Sequence, residues 1–133
     1  MILVDSSVWI DFFRNRPTAQ AEWLDRNLGV ESFVVADLVL AEVLQGFQDE
    51  KGFNEAKRLL GQLEQALIGG TELAIEAARN YRKLRGKGVT VRGTVDILIA
   101  TRCIQEDWRL LHSDRDFDAF ASHLGLRTVA CEA

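Results

Sequence analysis

The chain alternates between short apolar segments and longer segments in which apolar residues recur with a helical repeat. Four short segments predict β-strands, at residues 2–4, 33–36, 109–112 and 127–129. Their residues do not alternate between apolar and polar, which is typical of strands that helices cover on both faces. Strands that alternate with helices form βαβ units. The pattern therefore predicts a three-layer α/β fold, with a central parallel sheet flanked by helices.

The longer segments repeat apolar residues at intervals of three and four. Leu40, Val43 and Phe47 show this spacing. A short first helix is expected inside residues 6–13, and residues 88–91 are a candidate short strand. The other predicted helices are residues 19–27, 38–48, 54–68, 75–84, 94–106 and 116–123.

The composition is that of one globular domain. The 133 residues are 47% hydrophobic and 27% charged, so we expect one core and one domain over residues 1–133. No run of consecutive apolar residues exceeds four, whereas a membrane-spanning helix needs about 20. The first residues lack the features of a secretory signal, since Asp5 and Asp11 interrupt them, and we expect a cytoplasmic protein without a membrane partner. Cys103 and Cys131 lie far apart and outside any CxxC motif, which favours reduced thiols.

Charge is unevenly distributed along the chain. The 20 acidic and 16 basic residues give a formal net charge of −4, which by itself does not indicate a nucleic-acid partner. Residues 79–92, however, contain six bases and no acid. Such a segment could contact RNA phosphates, although a solvated helix face explains it equally well. The bases are Arg79, Arg82, Lys83, Arg85, Lys87 and Arg92, and Arg115 is a further candidate.

Acidic residues follow the predicted strands. Asp5 follows the first strand, Asp37 the second and Asp114 the third, while Asp96 lies at the start of the helix 94–106. The carboxyl ends of parallel strands form the edge of the sheet at which ligands bind, so these acids could form a site. Each could instead cap a helix, because an aspartate there accepts backbone N–H groups and complements the helix dipole. The capping explanation fits Asp37 best.

Glu42 is harder to explain as a cap. It lies inside the helix 38–48, near the apolar stripe, where a carboxylate is costly unless it is paired, partly exposed or bound to a cation. If Glu42 converges with Asp5, Asp96 and Asp114, the four charges need compensation by a cation or by protons. Ligands that are all oxygen, without His or Cys, favour Mg²⁺ or Mn²⁺ over Zn²⁺.

Such a metal site suits hydrolysis of phosphodiester bonds, because a bound ion polarises a phosphoryl oxygen and activates water. Ser6 and Ser7 follow Asp5 directly. Either serine could hydrogen-bond a ligand carboxylate or a bound water, and either could equally cap the first helix. Asp116 could be a further ligand or a first-turn acid of its own helix.

Four segments carry these acids: MILVDSSVWIDFF, LVLAEVLQGF, GTVDILIATRC and LLHSDRDFDAF. In this order they resemble the four sequence blocks of PIN-domain ribonucleases, most closely the VapC-type toxins of bacterial toxin–antitoxin pairs. The resemblance extends from Met1 to Val129. It implies that the acid of each block holds Mg²⁺ or Mn²⁺, with a variable contribution from a second acid of the last block and auxiliary polar side chains after the first. The matching residues are Asp5, Glu42, Asp96 and Asp114, the second acid Asp116, and the auxiliary Ser6 and Ser7.

The resemblance also implies a fold, an activity and partners. The implied fold is a Rossmann-like PIN domain that forms a homodimer. The implied activity is cleavage of single-stranded or loop RNA, inhibited by a cognate antitoxin whose C-terminal segment enters the acidic groove. One departure from the family pattern is that His112 and Ser113 stand where relatives often carry Thr and another residue.

Two functions of other classes are also compatible with the sequence. A receiver-like phosphotransfer domain shares the size, the sheet and the acids at strand ends. It would need paired early acids and a late lysine, whereas Asp5 is followed by two serines and no lysine follows Lys87. A non-catalytic PIN-like binding module is the other alternative, although the presence of all four acids counts against it.

Aromatic residues and one helix have alternative explanations. Phe12, Phe13 and the tryptophans could stack on RNA bases, but packing in the core or at a dimer interface is the favoured explanation. The helix 54–68 could present a surface to a partner helix or simply cover its own sheet.

Overall fold

A central parallel sheet organises the molecule. The computed structural model describes residues 1–131 and places five strands in the order β3-β2-β1-β4-β5. Every neighbouring pair is parallel. The predicted α/β fold, with a parallel sheet flanked by helices, is confirmed. The strands are β1 (Ile2–Val4), β2 (Phe33–Ala36), β3 (Glu64–Ala66), β4 (Arg109–Leu111) and β5 (Arg127–Thr128).

Seven α-helices connect the strands within residues 1–131, and none of them is both long and apolar enough to cross a membrane. They form two packed groups, in which α1 contacts α2 and α3, and α5 contacts α6 and α7. A 3₁₀ turn, Arg115–Phe117, precedes the last helix. The helices are α1 (Ser6–Phe13), α2 (Ala19–Asn27), α3 (Asp37–Leu44), α4 (Glu50–Gly61), α5 (Thr71–Gly86), α6 (Thr94–Glu106) and α7 (Asp118–Leu124).

The order of the strands creates a crevice beside β1. The chain builds one half of the sheet outward from β1 through β2 to β3, and then returns to the other side of β1 with β4. Val4 at the end of β1 is paired with Leu111 at the end of β4. The connections after these two strands diverge, which is the geometry of a ligand-binding switch point. Both strands are apolar at these ends because they lie in the middle of the core.

The helix predicted over residues 54–68 is present as α4, but its predicted bounds are wrong. Helix α4 begins at Glu50, where the carboxylate of Asp49 accepts a hydrogen bond from Gly52 N–H (3.0 Å), and ends at Gly61. Residues 64–66 form the edge strand β3, paired with β2. The side-chain amide Nε2 of Gln65 donates to Leu60 C=O (2.8 Å), which satisfies a carbonyl at the end of α4. The prediction failed because the helical spacing of leucines continues past Gly61, although the chain leaves the helix there and enters the sheet at Glu64.

The candidate strand at residues 88–91 is also wrong. Helix α5 runs to Gly86, and Gly88 then adopts a left-handed conformation with φ of 80°. Val89 N–H donates to Leu84 C=O (2.9 Å) and Gly88 N–H donates to Arg85 C=O (3.0 Å). These two bonds form a helix-terminating motif that needs glycine, and they use the N–H groups that a strand would have offered to the sheet.

Other predicted bounds differ from the structure at their ends. The helix predicted over 38–48 ends at Leu44, and the helix predicted over 75–84 extends across the whole of α5. The helix predicted over 116–123 is split into the 3₁₀ turn and α7. The two last strands each end one residue earlier than predicted.

Candidate functional site

Asp5 connects the end of β1 to the start of α1. Its backbone N–H donates to Leu111 C=O (2.9 Å), which continues the pairing of β1 with β4 past the end of the strand. Asp5 is the N-cap residue of α1, but its side chain accepts no capping hydrogen bond. Its Oδ2 instead accepts a hydrogen bond from Ser7 Oγ (2.7 Å), and the residue is only 5% exposed. Asp5 is therefore a buried carboxylate whose side chain does not cap the helix it begins.

Three carboxylates meet at the start of α6 and the end of β4. One oxygen from each of Asp96, Asp114 and Asp116 lies within 4.8 Å of the other two. Asp96 is in the first turn of α6 and Asp116 is in the 3₁₀ turn. Asp114 does cap that turn, since its Oδ1 accepts a hydrogen bond from Asp116 N–H (2.9 Å). The cap holds the Asp114 carboxylate in place and leaves its second oxygen available to a ligand.

Glu42 lies on α3, half-buried, and faces the start of α1. Burial raises the pKa of Glu42, a hydrogen bond with Ser6 lowers it, and the charge of Asp5 raises it. Glu42 is therefore next to Asp5 and Ser6 rather than in the trio of Asp96, Asp114 and Asp116. Ser7 thus donates a hydrogen bond to Asp5, whereas Ser6 acts on Glu42.

The five acids form one electrostatic cluster, which we call the acid cluster: Asp5, Glu42, Asp96, Asp114 and Asp116. Asp96 shows this most clearly, because burial and, after it, the charges of the other four carboxylates together raise its pKa to about 6. Within residues 1–131, none of the five forms a salt bridge with a lysine or arginine. A concentration of negative charge without basic partners, made only of oxygen ligands, is a chemical fit for Mg²⁺ or Mn²⁺.

Two residues near the acid cluster were not predicted to act there. Ser113 Oγ lies 3.4 Å from Ser7 Oγ, which connects the loop after β4 with the serine that holds Asp5. The N–H of Asp114 donates to His112 Nδ1 (3.2 Å), and burial lowers the pKa of His112. A neutral His112 therefore orients the loop that carries Asp114. The signal in the sequence was their position just before an acid, but that position does not reveal which side chain they contact.

The basic segment, residues 79–92, covers the exposed face of α5 and the loop that leads to α6. All six of its bases are exposed. Arg79 pairs with Glu76 (3.3 Å), and the guanidinium of Arg85 lies over the Tyr81 ring, 5.6 Å from its centre. Arg92 comes four residues before Asp96, and Arg115 stands exposed between Asp114 and Asp116 in the sequence. The basic segment thus ends two residues before the start of α6. Within residues 1–131, the structure shows no contact between its basic side chains and the acid cluster.

A groove of about 780 Å³ lies between α1, α2 and α4. Its floor is apolar. Trp9, whose ring stacks against that of Phe13, is completely buried in the core. The favoured packing explanation therefore holds for Trp9, while two phenylalanines of the same helix are partly exposed to the groove. The apolar floor contains Phe12, Phe13, Phe47 and Leu59, and the charged rim contains Arg16, Glu22, Asp25, Arg26, Glu55 and Arg58.

Comparisons with known proteins give one consistent result. The sequence model of the PIN domain matches residues 2–122. Ribonuclease VapC11 of Mycobacterium tuberculosis is 32% identical over 132 residues, which are 98% of each chain. VapBC2 of Rickettsia felis, solved with a DNA fragment from its promoter, matches with a TM-score of 0.75 at 18% identity over 99% of this chain and 100% of that one. VapC20 of M. tuberculosis, described as a sarcin–ricin loop cleaving toxin, matches with a TM-score of 0.66 at 18% identity over 90% and 94%.

Proposed function

The chain belongs to the PIN domain family, of the VapC type, and from this we propose that it is an Mg²⁺- or Mn²⁺-dependent endoribonuclease, the toxin of a type II toxin–antitoxin pair. The observation that carries the proposal is the acid cluster at the switch point of the sheet, with no basic partner within residues 1–131. The receiver-like alternative does not agree with membership of this family. We place the activity in the cytoplasm, where RNA is available to it.

The acid cluster supports binding of a divalent ion. The oxygens of Asp96, Asp114 and Asp116 lie within 4.8 Å of one another, a spacing that ligands around a hard cation adopt when each is about 2.0–2.6 Å from the ion. Asp5 and Glu42 add negative charge that acts on Asp96. A bound ion would polarise a phosphoryl oxygen and make water a better nucleophile.

Groups of the chain itself hold the acids in position for this reaction. Ser7 Oγ donates to Asp5 Oδ2 and the backbone N–H of Asp116 donates to Asp114 Oδ1, while Ser6 lies close enough to Glu42 to lower the pKa of that carboxyl. Hydrogen bonds of this kind fix the direction of a carboxylate before a ligand arrives. We propose that a water molecule attacks a backbone phosphate in line with the leaving oxygen, at a phosphate placed against these carboxylates.

We propose that exposed basic residues that come shortly before Asp96, or flank Asp114, in the sequence bind RNA. An acidic site repels a phosphate backbone, so a nuclease needs positive charge nearby to hold its substrate. The basic segment is exposed along α5 and ends at Arg92, close in sequence to Asp96, and Arg115 flanks the acids of the last block. We propose that the phosphates of single-stranded or loop RNA contact these basic side chains where the strand enters the crevice. The residues are Arg79, Arg82, Lys83, Arg85, Arg92 and Arg115.

We propose a protein antitoxin as a partner. The groove has an apolar floor and a rim with both signs of charge, which suits an amphipathic peptide segment. It reaches Phe13 at the end of α1, and the start of that helix at Ser6 is about 10 Å away along its axis. A segment in the groove could therefore extend along α1 to the acid cluster. Solved relatives that are VapBC complexes support this proposal.

We also propose that the chain forms a homodimer through the loop that follows β3. Leu67 is 78% exposed, and Ile75 in the following helix is 49% exposed. The backbone around Leu67 is fixed, since Leu67 C=O accepts a hydrogen bond from Arg102 Nη1 (3.1 Å) and Ile68 N–H donates to Asp37 Oδ1 (2.8 Å). A large apolar side chain that a fixed backbone holds in solvent is a feature of contact surfaces.

The proposed activity is tested by incubating total bacterial RNA with the purified full chain and sequencing the new RNA ends. We expect cleavage with MgCl₂ or MnCl₂ and none in EDTA. Asp96→Asn and Asp5→Asn should lower the cleavage rate by at least about 100-fold, because they remove charge that holds the ion. Glu72→Gln, which neutralises an exposed acid in the first turn of α5, should keep the wild-type rate.

Three results would contradict parts of the proposal. Cleavage that persists in EDTA would contradict the dependence on a metal. Full activity of Asp96→Asn, with the wild-type melting temperature, would contradict the role of that acid. Binding of Mg²⁺ by a wild-type chain that cleaves no RNA would favour the non-catalytic binding module instead.

A further inference from the structure

Gly93 occupies the N-cap position of α6, where glycine is not required by the backbone. Its φ of −97° and ψ of 119° are open to every residue type. Helices prefer Ser, Thr, Asp or Asn at this position, because their side chains accept a hydrogen bond from the first turn. No side chain caps α6. The helix therefore lacks a stabilising contact that a common substitution would supply.

The space beside Gly93 is taken by Asp96. A Cβ atom at residue 93 would lie 3.1 Å from Asp96 Oδ2 and 3.4 Å from its Cγ. Contacts this short are rare for a Cβ atom, so the carboxylate would have to move by a few tenths of an ångström. Gly61 and Gly86 differ, since a Cβ atom at either would meet no other atom within 4 Å.

The carboxylate of Asp96 is not held by the helix itself. Asp96 is the third residue of α6, the position from which an acidic side chain can bond back to the N-cap N–H. Within residues 1–131, however, the Asp96 carboxylate accepts no hydrogen bond, in contrast to Asp5 and Asp114. Its Oδ2 instead occupies the space that a side chain at residue 93 would fill, and one of its oxygens lies within 4.8 Å of oxygens of Asp114 and Asp116.

We propose that Gly93 is a positioning residue: the absence of a side chain there lets the Asp96 carboxylate take the place in which it shares a divalent ion with Asp114 and Asp116. The inference rests on the proposed metal site. It explains why α6 begins with a weak cap at the point where the helix delivers an acid to the cluster. A side chain at residue 93 would improve the helix and displace the ligand.

The test compares Mg²⁺ and Mn²⁺ binding by isothermal titration calorimetry for the full-length wild type, Gly93→Ser, Gly93→Ala and the control Gly86→Ala. Thermal melts of each ion-free protein accompany the titrations. We expect Gly93→Ser to melt at or above the wild-type temperature, because serine can cap α6, and yet to bind the ion about ten-fold more weakly. Gly93→Ala should lose affinity similarly, and Gly86→Ala should bind as the wild type does.

The possible failures are distinguishable. Wild-type affinity in both Gly93 variants would overturn the role of Gly93 and leave the metal site intact. An equal loss of affinity in Gly86→Ala would also overturn it, because the effect would not be local. No binding of either ion by the wild-type chain would overturn the metal site itself, and with it this inference.

Discussion

At the scale of single residues, the raised pKa of Asp96 contributes to how the ion-free protein responds to pH. Burial, followed by the charges of the other acids, raises its pKa from 3.8 to about 6. The folded state thus holds this proton more tightly than the unfolded state does. Between about pH 4 and pH 6 this carboxyl binds more protons in the folded state than in the unfolded state, so the stability that it contributes falls as the pH rises through this range. A bound cation should remove this loss of stability, because its positive charge compensates the ionised carboxylate of Asp96.

We therefore expect the melting temperature of the ion-free chain to contain a contribution from Asp96 that decreases from pH 4 to pH 7. Asp96 is partly exposed, so solvent screening reduces this contribution to on the order of 1 kcal/mol. Addition of MgCl₂ should raise the melting temperature more at pH 7.5 than at pH 5. Differential scanning calorimetry over this range measures both effects.

The matched control for this pH dependence is Asp96→Asn, which cannot ionise at this position. Its stability should fall less than that of the wild type between pH 4 and pH 7, and MgCl₂ should stabilise it less at pH 7.5. Identical pH profiles for the two proteins would show that Asp96 does not titrate in this range.

At the scale of elements, a buried hydrogen bond joins the helix of the basic segment to the helix of Asp96. Asn80 Nδ2 on α5 donates to Thr101 Oγ1 on α6 (3.0 Å), and both side chains are buried. Thr101→Val should lower the free energy of unfolding by about 1–3 kcal/mol, because it leaves the Asn80 amide without its partner. Urea denaturation measures this loss. Thr94→Val, at an exposed threonine of the same helix, should cost much less, and an equal cost would mean that the bond contributes nothing of its own.

The exposed face of α5 gives a second prediction at this scale. In an Asp96→Asn background, which should slow cleavage at least about 100-fold, Arg82→Gln with Arg85→Gln should weaken binding to a single-stranded RNA. Two lost phosphate contacts should reduce the slope of log affinity against log salt by about 1.4. Fluorescence anisotropy at several KCl concentrations measures the slope.

The control for the α5 variants removes two positive charges from another helix. Lys51→Gln with Lys57→Gln changes exposed residues of α4 and should leave the salt slope within error. If both double variants change the slope equally, net charge and not the basic segment governs RNA binding. An unchanged slope in the α5 variant would mean that the basic residues of α5 are solvated and do not contact RNA.

At the scale of the whole molecule, the proposed homodimer predicts a mass of two chains in solution. Leu67→Asp should weaken the dimer at least ten-fold, because it places a charge on the proposed contact surface. Val30→Asp is a matched control, since Val30 is 76% exposed and Leu67 is 78% exposed. Sedimentation velocity over a range of protein concentrations measures the effect. A monomeric wild type, or equal behaviour of both variants, would contradict this interface.

Local pattern determined much of the fold. The apolar segments of β1 and β2 were predictable because a strand buried on both faces must be apolar along its length. The edge strand β3, with the sequence EQA, was not predictable, because it is partly exposed and its pairing partner lies about thirty residues earlier in the chain. The helical spacing of leucines continues past Gly61, so the pattern predicted a helix where the structure has β3.

The sequence by itself also determined which acids were candidates, because the aspartates follow an apolar strand or lie in the first turn of a helix, and Glu42 lies inside a helix near its apolar stripe. Only the tertiary structure decided what each one does. Asp114 caps a turn and remains in the cluster, the side chain of Asp5 does not cap its helix, and Asp96 packs against Gly93. The physical reason is that periodicity and burial act between near neighbours in the chain. The distances between carboxylates, and the atoms that hold them, depend on how β1, α3, α6 and β4 pack together.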